Sequence, residues 1–149
     1  DPTNKLVQQI ETRLTALTGI GPAHGETIQG QRYDVGQQFK PHTDYFHDHQ
    51  AYWQVMDRTG GQRTWTAMIF LNTPAGGGHT YFEHAAVKAT PRGGNLLIWN
   101  NLQTDGTGNP YSLHQGMKVT EGVKYIITKW HRERPWVALP DGDPSAPAY

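Results

Sequence analysis

The chain has 149 residues, the size of one domain, and its 13 Lys and Arg residues balance 13 Asp and Glu residues. Zero formal net charge without a basic block argues against a nucleic-acid partner, and no apolar run is long enough to span a membrane. Cysteine is absent, which excludes disulfides and thiolate metal sites, so a transition metal would have to bind histidines and carboxylates.

The first predicted element is an amphipathic helix over residues 4–18. Its apolar side chains recur at helical spacing, namely Leu6, Val7, Ile10, Leu14 and Leu17. Thr3 or Asn4 can cap its start, and Gly19 ends it. This is the one clear helix that the sequence predicts.

After Pro22 the pattern changes to short segments with strand character, separated by turns rich in glycine, proline and asparagine. The predicted strands cover residues 27–33, 37–41, 63–71, 80–82, 95–99, 117–120 and 123–130. Many short strands with such turns favour a mainly β sandwich or barrel with flanking helices. We expect one domain over residues 1–136 and a flexible tail over 137–149, in a soluble protein for which the cytoplasm is slightly favoured.

A long connection over residues 45–62 carries several aromatic side chains. A connection of this length in a compact domain is more often functional than idle. A short helix at about residues 50–57, packing its aromatics on the core, is an equally good and compatible interpretation.

His42-Thr43-Asp44 places an imidazole and a carboxylate two residues apart, so that on an extended segment both can reach one ion. Two histidines and one carboxylate that leave open positions are typical of iron(II) oxygenases. Alone, the motif is weak, since such a pair is more often an ordinary surface pair.

Residues 113–124 strengthen the motif by supplying His114 and Lys124. We expect a hairpin in which His114 opens one strand, Glu121-Gly122 turns, and Lys124 begins the return strand beside His114. Alternation then puts Lys124, Ile126, Thr128 and Trp130 on one face. A lysine on an apolar inner face needs an anionic partner, such as a metal-bound dicarboxylate. The alternative is a lysine whose stem lies on a structural sheet and whose ammonium reaches solvent.

Several further segments follow in a fixed order along residues 26–134. They are Gln31-Arg32-Tyr33, Gly36-Gln37, His42-Thr43-Asp44, Phe70-Leu71-Asn72, Gly77-Gly78-His79-Thr80-Tyr81-Phe82, Pro91-Arg92-Gly93-Gly94, Leu96-Leu97-Ile98-Trp99, His114, Gly116, Val119, Gly122, Lys124 and Lys129-Trp130. With this ordered set the chain resembles the prolyl 4-hydroxylase branch of the Fe(II)/2-oxoglutarate dioxygenases.

The resemblance implies a double-stranded β-helix, or jelly roll, with His42, Asp44 and His114 as iron ligands. It also implies that Lys124 pairs with the distal carboxylate of 2-oxoglutarate, with help from Tyr33 and Thr66, and that Trp130 lines the pocket. The implied activity is hydroxylation, most often of prolyl residues in a peptide or protein, coupled to decarboxylation of 2-oxoglutarate to succinate and CO2. O2 is the oxidant, and ascorbate is a further cofactor to consider.

The substrate contacts are the open part of this prediction. Phe39 stands where peptide-hydroxylating relatives often carry tyrosine, and Arg132 also departs from the family pattern. Arg58, Arg63 or Arg132 could clamp the carboxylate of a free amino acid or other small molecule, which is the first alternative substrate class. A nucleic-acid demethylase is disfavoured, because the co-substrate base is lysine and no basic stripe is visible. A non-catalytic jelly-roll binding module is the second alternative, against which the intact set of ligands argues.

The remaining histidines are expected to stay outside the site. His47 and His49 form a second His-x-His pair, which we interpret as solvent-facing loop residues rather than a metal site. The other four are expected to be surface groups or to support the ligands from behind, namely His24, His79, His84 and His131.

Overall fold

Two four-stranded antiparallel sheets form the body of the protein. The structure is a computed structural model that describes residues 3–138. The helices are α1 (Lys5–Thr18) and α2 (Trp53–Arg58). The strands are β1 (Gln29–Tyr33), β2 (Phe39–His42), β3 (Arg63–Phe70), β4 (Gly76–Gly77), β5 (Thr80–Phe82), β6 (Val87–Ala89), β7 (Leu96–Asn100), β8 (His114–Gly116), β9 (Val119–Glu121) and β10 (Lys124–Arg132). The first sheet has the order β1-β10-β3-β7, the second has β2-β8-β5-β6, and β4 pairs with β9 in a short ribbon.

Helix α1 confirms the predicted helix and both of its ends. The Asn4 side chain accepts hydrogen bonds from the backbone N–H groups of Leu6 and Val7 at 2.9 and 3.4 Å, which satisfies two donors that the first turn leaves unpaired. Gly19 ends the helix with φ 71°, a left-handed conformation that costs glycine little. Lys129 of β10 donates to Glu11 at 2.6 Å, which fastens the helix to the first sheet.

The core lies between the sheets, on the inner face of the first sheet. Met68, Phe70 and Ile126 form its buried cluster. Alternation along β10 places Lys124, Ile126, Thr128 and Trp130 on the face that lines the central cavity, as the sequence predicts. Every predicted strand has a counterpart, with shifts of up to two residues at most ends. The segment expected at 117–120 corresponds to β9, which begins at Val119 and ends at Glu121.

The predicted hairpin between His114 and Lys124 is wrong. Strand β8 pairs with β2 and β5 in the second sheet, whereas β10 pairs with β1 and β3 in the first sheet. Lys124 therefore pairs with Tyr33, and His114 pairs with His42 and Phe82. The chain crosses from one layer to the other between these strands, with β9 engaged by β4 on the way.

The long connection after β2 contains the predicted short helix, whereas its functional role stays a prediction. Helix α2 (Trp53–Arg58) lies inside it and buries Met56. Tyr45, Phe46 and Tyr52 line the central cavity from the same connection. Within residues 3–138 no helix combines the length and apolar character that a membrane crossing requires. Most of the expected tail, residues 139–149, lies outside the described part of the chain.

Candidate active site

His42, Asp44 and His114 converge at one end of the central cavity. One potential ligand atom from each lies within 4.8 Å of those of the other two. His42 and His114 are cross-strand partners on β2 and β8, and their ring centroids are 4.3 Å apart. Asp44 lies two residues beyond the end of β2, and its Oδ1 is 3.7 Å from Nε2 of His42. The described residues contain no other group of three or more such side chains that could hold a metal ion.

Backbone carbonyls orient both imidazoles. Nδ1 of His42 is 2.8 Å from the carbonyl oxygen of Lys40, and Nδ1 of His114 is 2.8 Å from that of Ser112. Each Nδ1 must therefore carry the proton, which leaves Nε2 as the lone-pair nitrogen on the side of Asp44. Burial lowers the pKa of His42, and the nearby His114 lowers it further. Both effects favour the neutral imidazole that metal binding requires.

Thr66 has a different contact from the co-substrate contact that we expected. Its hydroxyl donates to Oδ2 of Asp44 at 2.6 Å, and the residue is completely buried in β3. It is not among the side chains that line the cavity. Thr66 therefore contacts the carboxylate of the triad, and its contact with the co-substrate stays a prediction.

Lys124 reaches the same cavity from the opposite sheet. It is 3% exposed, and burial lowers its pKa from 10.5 to about 8. Its ammonium lies 5.4 Å from the Tyr33 ring and 5.5 Å from the Phe70 ring. Because the side chain is buried, the interpretation of a lysine that reaches solvent at the rim is wrong. Among the described residues no carboxylate pairs with the ammonium. The site has an ammonium that an anionic ligand would stabilise.

Three polar groups accompany Lys124 in the cavity lining. The hydroxyl of Tyr33 donates to Oε1 of Gln31 at 2.7 Å. The hydroxyl of Thr80 is buried and has no hydrogen-bond partner within residues 3–138. Trp130 lies farther along β10, beneath the guanidinium of Arg63 at 4.0 Å. Tyr33 and Trp130 line the cavity, as Trp130 was expected to, and the contact of Tyr33 with the co-substrate stays a prediction. Gln31 and Thr80 were not predicted as site residues, because their positions in the motif segments do not reveal which side chains reach the cavity.

The cavity between the sheets has a volume of about 590 Å³, which is within the usual range for small-ligand sites. The metal-binding candidates lie on the second sheet, Lys124 lies on the first, and the connection that follows β2 contributes the aromatic side chains. Phe39, the tentative substrate contact, also lines the cavity, and its ring packs edge-on against His42 at 4.1 Å.

Arg63 and Arg132, two of the proposed carboxylate clamps, are already engaged by Glu26. Arg63 donates to both carboxylate oxygens of Glu26 at 2.7 and 2.8 Å, and Arg132 donates to Oε1 at 3.0 Å. Burial alone would raise the pKa of Glu26, but the hydrogen bonds and charges of the two guanidiniums outweigh it and hold the pKa below its usual value. Phe46 packs under both guanidiniums. This network could not be predicted from the sequence, because its members are distant along the chain.

The third clamp candidate, Arg58, is not brought to the cavity. It is exposed on α2, where its Nε donates to the carbonyl of Gln54 at 3.2 Å. Of the three arginines, only Arg63 lines the cavity.

The other histidines are arranged largely as expected. His49 is exposed, and His47 is exposed but contributes to the cavity rim. The expectation was wrong for His131, which is 2% exposed and lies on the outer face of β10 near the Glu11–Lys129 pair. Neither of its ring nitrogens has a hydrogen-bond partner in the described part of the chain.

Comparison with known proteins now identifies the family. The family model of the 2OG-Fe(II) oxygenase superfamily matches residues 28–132, a span that contains all three metal-binding candidates and Lys124. The chain belongs to the 2OG-Fe(II) oxygenase superfamily. It is 34% identical to prolyl 4-hydroxylase 2 of Arabidopsis thaliana over 146 residues, covering 84% of this chain and 47% of that protein. It is 32% identical to prolyl 4-hydroxylase 1 of the same plant over 142 residues, covering 87% of this chain and 48% of that protein.

Solved structures confirm the jelly-roll fold. The 2OG complex of a viral collagen prolyl hydroxylase from Paramecium Bursaria Chlorella virus-1 matches with a TM-score of 0.73 at 23% identity, covering 89% of this chain and 75% of that chain. A prolyl-4-hydroxylase of Pseudomonas putida matches with a TM-score of 0.54 at 19% identity, covering 85% and 61%. This chain spans about half the length of the curated relatives that it matches.

Membership of the superfamily implies Fe(II) and 2-oxoglutarate, and the donor set fits both. Two imidazoles on adjacent strands and a carboxylate just beyond one of these strands are the ligands that oxygenase iron takes. The buried ammonium of Lys124 and the unpartnered hydroxyl of Thr80 offer a charge and a donor to a carboxylate in the same cavity. The site therefore has the residues for the metal and for a diacid.

Proposed function

We propose that this chain is the catalytic domain of an Fe(II)/2-oxoglutarate-dependent hydroxylase that acts on prolyl residues of a peptide or protein. The observation that carries the proposal is the convergence of His42, Asp44, His114 and Lys124 on one cavity from two different sheets. Iron with 2-oxoglutarate and O2 supplies the oxidising chemistry, which converts 2-oxoglutarate to succinate and CO2 and hydroxylates the substrate.

The roles of the residues follow from their contacts. His42, Asp44 and His114 would hold the iron, with both imidazoles oriented by carbonyls and Asp44 oriented by Thr66. Lys124 and the Thr80 hydroxyl would bind the distal carboxylate of 2-oxoglutarate. The Tyr33 hydroxyl now donates its one proton to Gln31. It could donate to 2-oxoglutarate only if its hydrogen bond to Gln31 were broken.

A peptide substrate is supported by the aromatic lining and by the relatives. Tyr45, Phe46, Tyr52 and Trp130 line the cavity beside the metal-binding end, and aromatic faces suit the flat, apolar ring of proline. The sequence relatives are named prolyl 4-hydroxylases. An exposed, apolar Phe39 at the rim extends this lining outward.

A free amino acid as substrate is the second candidate, and the arginines argue against it. A free carboxylate would need a guanidinium at the cavity, but Arg63 is occupied by Glu26 at 2.7 and 2.8 Å and Arg132 by the same carboxylate. A non-catalytic binding module would have no need of a complete donor set together with a buried lysine.

Anaerobic titration with Fe(II) and 2-oxoglutarate tests the site, since their complex on the protein absorbs visible light. We expect the band in the parent protein, its loss in Asp44→Ala, and no change in the control Asp105→Ala, which replaces an exposed aspartate. A band that survives in Asp44→Ala would refute the assignment of the ligands.

The substrate class is tested by a panel of proline-rich peptides and free amino acids, with and without ascorbate. We expect succinate release together with a mass gain of one oxygen atom on peptides. Turnover on free amino acids alone would replace the peptide proposal with the second candidate.

A further inference from the structure

Two completely buried polar side chains stand in line behind the carboxylate of Asp44. The hydroxyl of Thr66 donates to Oδ2 of Asp44 at 2.6 Å, and Nδ2 of Asn101 donates to the hydroxyl oxygen of Thr66 at 2.8 Å. Both Thr66 and Asn101 have 0% relative exposure. We propose that Asn101 is a positioning residue for the metal-binding carboxylate and acts through Thr66, an inference that rests on the proposed iron-binding role of Asp44.

The direction of each hydrogen bond is determined by the chemistry of the groups. Ionised Asp44 can only accept, so the single hydroxyl proton of Thr66 points at it. The Thr66 oxygen then has lone pairs for a donor, and only the amide nitrogen of Asn101 can supply one. Without Asn101 the hydroxyl could rotate toward other acceptors. With it, the donor to Asp44 is oriented before any metal binds.

The backbone of Asn101 is held by two hydrogen bonds, whereas its side-chain Oδ1 has no partner within residues 3–138. Its backbone N–H donates to the carbonyl of Thr64 at 2.8 Å, and its carbonyl accepts from the N–H of Asn109 at 2.8 Å. It directly follows β7, in which Trp99 packs edge-on against His114 with centroids 4.8 Å apart. The end of β7 therefore contacts one ligand directly and reaches a second one through Thr66.

The consequence concerns which oxygen of Asp44 is available. Oδ2 is engaged by Thr66, while Oδ1 faces Nε2 of His42 at 3.7 Å. A carboxylate fixed in this way offers one oxygen to an ion without having to rotate first. Thr66 lies in the first sheet and Asp44 follows a strand of the second, so the same bond also links the two layers at the site.

The test is the affinity of the metal-free protein for Co(II) alone, followed by the visible absorption of the bound ion. Thr66→Val, which removes the hydroxyl at nearly constant volume, should weaken binding about 10-fold to 100-fold, the usual effect of losing a group that orients a ligand. Asn101→Leu should weaken it less, about threefold to tenfold. Thr66→Ser keeps the hydroxyl and should restore most of the affinity. Thr59→Val, which removes a buried hydroxyl at the residue directly after α2, is the matched control.

A double variant distinguishes positioning from a general loss of packing. If Asn101 acts through Thr66, Asn101→Leu should cause no further loss of Co(II) affinity in the Thr66→Val background. An equal loss in both backgrounds, or unchanged affinity in the Asn101→Leu protein, overturns the inference. Circular dichroism checks folding, and Asn101→Ala replaces Asn101→Leu if the larger side chain unfolds the protein. Co(II) binding that persists in Asp44→Ala would instead refute the proposed metal site itself.

Discussion

Replacing Lys124 with methionine should stabilise the ligand-free protein and weaken its binding of 2-oxoglutarate. Methionine keeps the length and the apolar packing of the lysine stem but removes the ammonium. The lysine is 3% exposed, and its charge has no carboxylate partner within the described residues. Its burial therefore costs free energy in the empty protein, and this cost is recovered only when an anion binds.

The size of the expected stabilisation follows from the lowered pKa of Lys124. A lowering from 10.5 to about 8 corresponds to about 3 kcal/mol of unfavourable free energy for the charged form. The rings of Tyr33 and Phe70, at 5.4 and 5.5 Å, return part of this through cation–π attraction that methionine lacks. We expect a net gain of about 1–3 kcal/mol at pH 7, with Tm rising by about 2–4 °C per kcal/mol.

The stability difference between the parent protein and Lys124→Met should depend on pH. The pKa of Lys124 is lower in the folded state, so between pH 8 and 10.5 the unfolded chain binds more protons than the folded one. The stability of the parent protein relative to Lys124→Met therefore rises with pH in this window, and the advantage of the variant shrinks. Thermal unfolding at pH 7 and pH 10 measures both values, with Lys88→Met on exposed β6 as the control.

Binding of 2-oxoglutarate is the second half of this prediction. Loss of a charged hydrogen bond worth about 1.5–3 kcal/mol should weaken binding about tenfold to 150-fold in calorimetric titration of the Mn(II)-loaded protein. The reasoning is refuted if Lys124→Met is less stable than the parent at pH 7, if the difference in Tm is the same at both pH values, or if affinity for 2-oxoglutarate is unchanged.

Two further predictions concern buried charge elsewhere. Glu26→Gln should destabilise the protein by about 3–5 kcal/mol in urea unfolding, because it leaves the guanidiniums of Arg63 and Arg132 without their buried carboxylate. Since the folded pKa of Glu26 is lowered, its contribution is present above pH 4.5 and is lost as the pH falls, so the variant should show a flatter acid branch. His131→Phe should be neutral or stabilising by about 1 kcal/mol at pH 8, because neither ring nitrogen has a partner within residues 3–138. Burial lowers the pKa of His131, so the parent loses stability as the pH falls below about 6.5, and a variant whose advantage did not grow toward pH 5 would contradict this.

Features encoded locally could be predicted from the sequence. Helix α1 could be predicted from the spacing of its apolar residues and from its two capping residues, Asn4 and Gly19. Both signals involve neighbours along the chain. Alternation placed Lys124 on the cavity face of β10 for the same reason. The pair His42 and Asp44 could be found because both residues lie on one short segment.

Features that depend on strand partners could not be predicted. His114 and Lys124 are ten positions apart and suggested a hairpin, yet they lie in different sheets, since strand pairing is decided by the whole fold. Thr66 carried no sign that Asp44 would be its acceptor, because the two residues approach each other only across the layers. The Glu26 network and the burial of His131 likewise arise from tertiary contacts.

The two imidazoles lie in one layer and the ammonium of Lys124 lies in the other. The distance between the two sheets therefore limits the length of a diacid that can bind between them. Facing sheets pack about 10 Å apart, a spacing fixed by core side chains such as Met68 and Phe70 rather than by loops. A diacid that joins both ends must match that gap, so shorter or longer homologues should be rejected by the architecture itself. Under the proposed function, changes in the connection carrying Tyr45 and Tyr52 would alter which substrate is bound and leave the co-substrate unchanged.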